Sequence, residues 1–198
     1  MATVLQRRPM TTEEFLAWEE RQELWHEYVA GEIRAMSGAA VGHNDIADNV
    51  LVLLRTKLRG MRCRARRADI KTRAATGDIL YPDVMVSCTP RGRRETVIDD
   101  PVVVVEVSSP STQKRDDTAK RWAYQSIPTM RHVVFVSSEA HLVEVASPNP
   151  DGSWTSVFYR GLDAVVALPA LDAGLPLAQV YEGVDLDEPT AGSDLTSG

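Results

Sequence analysis

PVVVVEVSSPS, Pro101 to Ser111, sets four valines before Glu106 and a fifth directly after it. A run of β-branched residues at successive rather than alternate positions reads as a central strand covered on both faces. A carboxylate in such a strand is costly, because burial without a partner costs several kcal/mol or forces the group to take up a proton. Glu106 therefore calls for a cation, a hydrogen-bond donor or a metal supplied from elsewhere in the chain.

The stretch ILYPDVMV, Ile79 to Val86, carries a second acid, Asp83, in front of another apolar alternation. If the two strands pair, Asp83 and Glu106 lie one strand spacing apart, about 4.8 Å between backbones, close enough to share one hard cation. Oxygen-only ligation by two carboxylates suits Mg2+ or Mn2+, which keep several waters and complete their shell with substrate phosphate. Hydrolysis of a phosphodiester also needs a fixed positive charge near the attacking water or the developing oxyanion. On the helix that follows Glu106, Ala119, Ala123 and Ile127 centre the apolar face, and Asp116 and Lys120 lie within about 60° of it at 100° per residue. Lys120 on that inner margin projects toward Glu106 or else snorkels at the helix border, and Tyr124, one turn on, supports it or packs.

Outward from this centre, TTEEFLAWEE from Thr11 reads as a short capped helix with Glu13 and Glu14 at its positive end. LWHEYVAGEIRAM reads as a β-hairpin turning at Ala30-Gly31, with Trp25, Glu27 and Val29 on one face. From Gly42 to Leu58 the apolar residues Ile46, Ala47, Val50, Leu51, Leu54 and Leu58 repeat near every 3.6 residues, and Gly60 stops the helix. CRARRADIKTRAA and ILYPDVMVSC form a second hairpin around Thr76-Gly77-Asp78, followed by a long loop from 87 to 101. HVVFVSS, HLVEVAS, SWTSVFY and AVVAL are four further strands, and LPLAQVYE closes with a helical turn or two. Strands mixed with helices, with hairpins outnumbering βαβ units, give an α/β or α+β domain with a mixed sheet. One domain over 10–184 is expected, with flexible tails at 1–9 and 185–198. Trp18, Trp122 and Trp154 are assigned to the core.

The chain has 198 residues, 43% of them hydrophobic, enough for one good core. No apolar run approaches the roughly 18 to 20 residues that cross a bilayer, and no secretory h-region opens the chain, so a soluble cytoplasmic protein is expected. Cys63 and Cys88 have neither CxxC spacing nor partner histidines and are expected as reduced thiols. The net charge of −6 hides an uneven distribution. From Arg55 to Arg73 stand Arg55, Lys57, Arg59, Arg62, Arg64, Arg66, Arg67, Lys71 and Arg73 against Asp69 alone, and Arg91, Arg93 and Arg94 form a second cluster. Such a stripe is a solvated surface or a phosphate-contacting one.

Three segments taken together, HEYVAGEIRAMSGAAVGHNDIADNVLVLLRTKLRG, YPDVMVSC and VVVVEVSSPSTQKRDDTAKRWAYQSIPTMRHVVFV, resemble the Uma family of the PD-(D/E)XK nuclease superfamily. The resemblance runs from about Met10 to Gly183. It implies a restriction-endonuclease-like core, a mixed sheet flanked by helices, and Mg2+-dependent (or Mn2+-dependent) endonucleolytic cleavage of DNA. Carried onto this chain, Asp83 is the motif aspartate and Glu106 the second acid. Glu27 is the N-terminal acid completing the metal site, though on its hairpin face an arginine partner serves it equally well. His43 and Asp69 match further polar positions, with Asp69 also the simplest partner for Arg66 or Arg67. The superfamily lysine normally stands two residues beyond the second acid, where this chain has Ser108, so Lys120 is the catalytic candidate. Arg62, Arg64, Arg66, Arg67, Lys71, Arg93 and Arg94 would hold DNA phosphates, and cutting two strands invites a homodimer. The rival readings are a non-catalytic nucleic-acid or protein-binding module on a nuclease fold, and a hydrolase of small phosphorylated molecules.

Overall fold

The computed structural model describes residues 10–36, 38–67, 69–108 and 113–186, without the side chains of 113–117. The expected tails at 1–9 and from 187 onward lie outside the described residues.

Thr11 caps α1 (Thr12–Glu19) reciprocally: its hydroxyl accepts from Glu14 N at 3.1 Å and its own N–H donates to the Glu14 carboxylate at 2.8 Å. The first hairpin joins β1 (His26–Val29) to β2 (Glu32–Ala35) through Ala30 at φ 52° and Gly31 at φ 81°. Two central residues in the left-handed region are what a tight two-residue hairpin demands. Ala30, which has no glycine's freedom there, is held by its N–H donating to Asp78 Oδ1 at 2.8 Å. The helix α2 (Val41–Lys57) buries Ile46, Ala47, Val50, Leu51 and Leu54, the stripe its period specifies.

Beyond it run β3 (Arg64–Arg67), β4 (Lys71–Arg73), β5 (Ile79–Leu80) and β6 (Val84–Ser87). The expected second hairpin is split in two. β4 pairs with β5, β3 pairs with β6, and the two pairs belong to different sheets. Pro82, which lacks the N–H a ladder needs, stands where the second arm changes sheet, one residue before Asp83. The 87–101 segment is not all loop, since β7 (Val97–Ile98) pairs parallel with β4. After it come β8 (Pro101–Ser108), α3 (Gln113–Gln125), β9 (His132–Ser137), β10 (Leu142–Pro148), β11 (Trp154–Arg160), β12 (Val165–Leu168), β13 (Ala173–Pro176) and α4 (Leu177–Val180). β13, too short and Gly-Pro-bearing to stand out in the sequence, pairs with β12.

The result is an α+β fold with mixed sheets. One sheet has the order β2-β1-β5-β4-β7, a second β11-β10-β9-β8-β6-β3 with β8 and β9 parallel inside it, and β12-β13 form a third of two strands. β8 is central, as its valines require, and its alternation decides where Glu106 points. Val103, Val105 and Val107 pack with Ile46, Val50 and Leu54 of α2. Val104 packs on the opposite face with Ala123, Tyr124 and Ile127 from the α3 segment. Glu106 shares the parity of Val104, so it faces α3. Each fully buried valine or leucine contributes roughly 1.5–3 kcal/mol to this framework.

Two expectations fail here. Cys63 and Cys88 form a disulfide, because the β3–β6 register, which sets Arg64 opposite Ser87, makes them the next cross-strand pair. Trp122 is 69% exposed rather than core. It follows Lys120 by two positions, about 200° round the helix, and so faces away from the sheet. Among the described residues no helix is long and apolar enough to cross a membrane.

Candidate active site

Asp83 immediately precedes β6, and the β6–β8 register, with Val84 opposite Val105, runs on to set Asp83 opposite Glu106. Both acids line a cleft of about 470 Å3 between the hairpin, the start of α2 and α3. Glu27 reaches it from β1 and Lys120 from α3. Asp83, Glu106, Glu27 and Lys120 are thus brought together from four separate parts of the chain.

Lys120 Nζ stands 2.9 Å from Glu27 Oε1 and 3.7 Å from Glu106 Oε1. The same Glu27 oxygen accepts the Tyr81 N–H at 3.0 Å, which fixes that carboxylate from behind. Tyr124, one helical turn past Lys120, donates its hydroxyl to Glu106 Oε1. Asp83 Oδ2 accepts the Val107 N–H at 2.7 Å and lies 3.4 Å from His43 Nε2. His43 Nδ1 is buried with no partner among the described residues. Glu27 therefore pairs with a lysine and not with an arginine.

Three carboxylates surround one ammonium, and the imbalance shows in proton affinity. Burial, more than any other cause, pushes the Glu106 carboxyl up to about 8, with Asp83 and Glu27 adding to the rise against the opposing Lys120 charge. Burial works to lower Lys120, but the charges of Glu106 and Glu27 outweigh it and leave the ammonium raised. The hydrogen bond from His43 to Asp83 raises the imidazole, with desolvation opposing. Burial, together with the Glu106 charge, lifts the Tyr124 phenol well above its usual range.

Whether a divalent ion fits is a question of donor chemistry. Among the described residues no group of three or more His, Cys, Asp and Glu side chains forms a ready-made cage. The donor set instead suits an ion held by one or two hard carboxylate oxygens with water and phosphate completing its shell. The surplus of negative charge around Glu106, which otherwise draws a proton, is what such an ion would neutralise.

The remaining sequence candidates divide. Arg67 borders the cleft, where its guanidinium meets Asp48 at 2.5 Å and Asn44 Oδ1 at 3.5 Å. Lys71 does not serve as a surface phosphate contact: its ammonium is partly buried, 3.0 Å from Glu19 and over the Tyr81 ring. Asp69 is exposed in the turn after β3, outside the cleft wall, and the expected pairing with Arg66 or Arg67 is absent because Asp48 of α2 takes Arg67 and Ser87 takes Arg66. Arg62, Arg64, Arg93 and Arg94 are exposed, and none of them borders the cleft. The side chain of Asp116, like the motif residues Ser109 to Thr112, lies outside the described residues. Sequence reading missed Arg34, Asn44 and Tyr81 in the cleft wall. For Asn44 a signal existed: Ala40, His43, Asn44 and Ala47 follow i, i+3, i+4, i+7 spacing at the start of α2.

Comparison with known proteins agrees with this architecture. The Uma2 family profile, described as "Putative restriction endonuclease", matches residues 12–179. An uncharacterised protein of Synechocystis sp. is 34% identical over 177 residues, covering 88% of this chain and 93% of its own. A second from the same organism is 25% identical over 170 residues, covering 84% and 96%. A crystal structure from Anabaena variabilis, described as a putative nuclease belonging to DUF820, superposes with a TM-score of 0.71 over 87% of this chain and 98% of its own. At 19% identity that likeness speaks for the fold alone. With the profile spanning most of its length and a relative above 30% identity covering nearly all of it, the chain belongs to the Uma2 family.

Proposed function

We propose that the cleft is the active site of a metal-dependent endonuclease that hydrolyses phosphodiester bonds in DNA. The observation that carries this reading is the opposition of Asp83 and Glu106 across the β6–β8 register, with Lys120 set between Glu27 and Glu106. Asp83 and Glu106, with Glu27 at the edge, would hold Mg2+ or Mn2+. The bound ion supplies Lewis-acid neutralisation of a non-bridging phosphate oxygen. His43 and the Val107 N–H fix the Asp83 carboxylate, and Tyr124 fixes that of Glu106. Lys120 presents a permanent positive charge to the attacking water or to the oxyanion that develops on phosphorus. Glu27, itself held by the Tyr81 N–H, orients the ammonium. Arg34 and Arg67 on the cleft wall meet the phosphates flanking the scissile bond. Cutting both strands of a duplex takes two such clefts, so a two-fold dimer is part of the reading.

The test is Mg2+-dependent nicking of supercoiled DNA. Asp83→Ala and Glu106→Ala are expected to abolish it while keeping a native circular-dichroism spectrum, and cleavage surviving in both variants rejects the proposal. The double ion pair of Lys120 favours a second reading, a non-catalytic module in which this lysine is a structural lock. Calorimetric titration with Mn2+ separates the two, since a lock binds no metal at the acid pair.

A further inference from the structure

The arginines of this protein sort by partner. Arg34, Arg67, Arg73, Arg91 and Arg121 each reach a carboxylate. Arg55, Arg59, Arg64 and Arg66 make no ion pair among the described residues, and these four line one hollow of about 450 Å3 beyond the C-terminal end of α2. No acidic residue contributes to its wall. Where these guanidiniums bond, they turn to neutral acceptors: Arg55 to the Ala65 carbonyl at 3.4 Å, Arg64 to the carbonyls of Met61 and Cys63, and Arg66 to Ser87 Oγ at 2.8 Å. Among the described residues no acid stands within ion-pair distance of any of the four, and only Arg66 has an acid nearby, Glu95, across the neighbouring hollow it shares with Arg91 and Arg93. The negative end of the α2 dipole, roughly half a unit charge, offsets only a fraction of four positive ones. Burial first, and then the neighbouring charges of Arg91 and Arg64, lowers the proton affinity of Arg66, with Glu95 opposing.

The position of the hollow limits what can fill it. β3 is the edge strand of its sheet. Arg67 at one end of β3 borders the cleft and Arg64 at the other borders the hollow; their backbones are about 10 Å apart at some 3.3 Å per residue, and the two side chains leave the strand on opposite faces, so that the path between them rounds its edge. A single phosphate cannot join two such places, whereas a chain of them can. We propose that this hollow anchors the phosphate backbone of a DNA strand whose scissile bond lies in the cleft. The strand runs along the β3 edge, with Arg55, Arg59, Arg64 and Arg66 gripping phosphates remote from the chemistry. The inference rests on the nuclease reading of the cleft, and it replaces the uniform basic stripe read from the sequence with a defined set of four.

The test is fluorescence anisotropy of a labelled DNA duplex long enough to span both places, titrated with salt in metal-free buffer. The full-length protein is compared with Arg59→Ala/Arg64→Ala, with the charge-keeping Arg59→Lys/Arg64→Lys, and with Arg160→Ala on the opposite edge strand. Arg59 and Arg64 are exposed, so the fold is expected to persist. Each phosphate contact adds about 0.9 to the slope of log affinity against log salt, so the double alanine variant should lose about 2 from that slope and about tenfold or more in low-salt affinity. The lysine pair and Arg160→Ala should retain the wild-type slope. An unchanged slope in the double alanine variant, or a wild-type protein with no salt-dependent binding, overturns the anchor. Nicking is read separately: activity that survives in both Asp83→Ala and Glu106→Ala overturns the cleft reading, whereas loss of nicking in those two variants together with an unchanged salt slope in Arg59→Ala/Arg64→Ala overturns the anchor alone.

Discussion

Two buried clusters in this protein are built from the same three residue types. In one, Lys71 pairs with Glu19 at 3.0 Å while Tyr81 donates its hydroxyl to Glu19 at 2.8 Å, and Trp25 stacks flat on the Tyr81 ring. In the other, Lys120 pairs with Glu27 and Glu106, and Tyr124 donates to Glu106. The residues are alike, but the ratio is not. The first cluster balances one acid against one base beneath an aromatic lid. The second adds Asp83, sets three carboxylates around one ammonium and opens into the cleft. A neutral, closed set is a structural tie. In a set with surplus negative charge, burial and the neighbouring carboxylates raise the proton affinity of Glu106, and Tyr81 links the two clusters by fixing Glu27 with its backbone while its side chain holds Glu19.

That contrast can be broken from either side. The largest effect belongs to Asp83→Ala and Glu106→Ala, which should reduce nicking to background, followed by Lys120→Ala at about 10²–10³ in rate, measured by single-turnover cleavage. In the closed cluster, Lys71→Ala strands the Glu19 carboxylate and should cost about 3–5 kcal/mol in chemical denaturation, without abolishing cleavage by the folded fraction. The third change has the opposite sign. Because the folded-state Glu106 lies near 8, above its ordinary 4.5, its contribution to stability is full below about 4.5 and is lost as the pH rises through 8. Glu106→Gln in metal-free buffer should therefore match the wild type in acid and exceed it by on the order of 1–3 kcal/mol above pH 8, seen as a pH-dependent gain in denaturation midpoint. The smallest effect is Trp122→Ala, which should move stability by no more than about 0.5 kcal/mol, because the indole is exposed.

The elements that were legible are those whose signal is local. The valine run announced a central strand, and the 3.6-residue stripe announced α2 to within a residue at either end. Gly31 marked the hairpin because glycine takes positive φ at no steric cost, whereas nothing local announced Ala30 at φ 52°, which Asp78 holds from outside the turn. Within the site, helical spacing put Lys120 on the inner margin of α3 with Tyr124 one turn on, and left open whether either reached Glu106. Of the failures, the Cys63–Cys88 pairing was nonlocal, and the exposure of Trp122 was a local signal passed over. Trp122 suggested core by composition alone, and helical phase overruled it.

By itself, then, the sequence determined the longer strands and helices, though not the short β7 and β13, and which acids would be costly to bury, since each depends on period or on chemistry within a few residues. Only the tertiary structure decided how charges pair, because a partner is chosen by distance and not by separation along the chain. The break beside Pro82 sent β5 and β6 into different sheets, and that step set Asp83 opposite Glu106 and made Cys63 the cross-strand neighbour of Cys88. The fold likewise gave Lys71 to Glu19 and left Arg55, Arg59, Arg64 and Arg66 together without an acid.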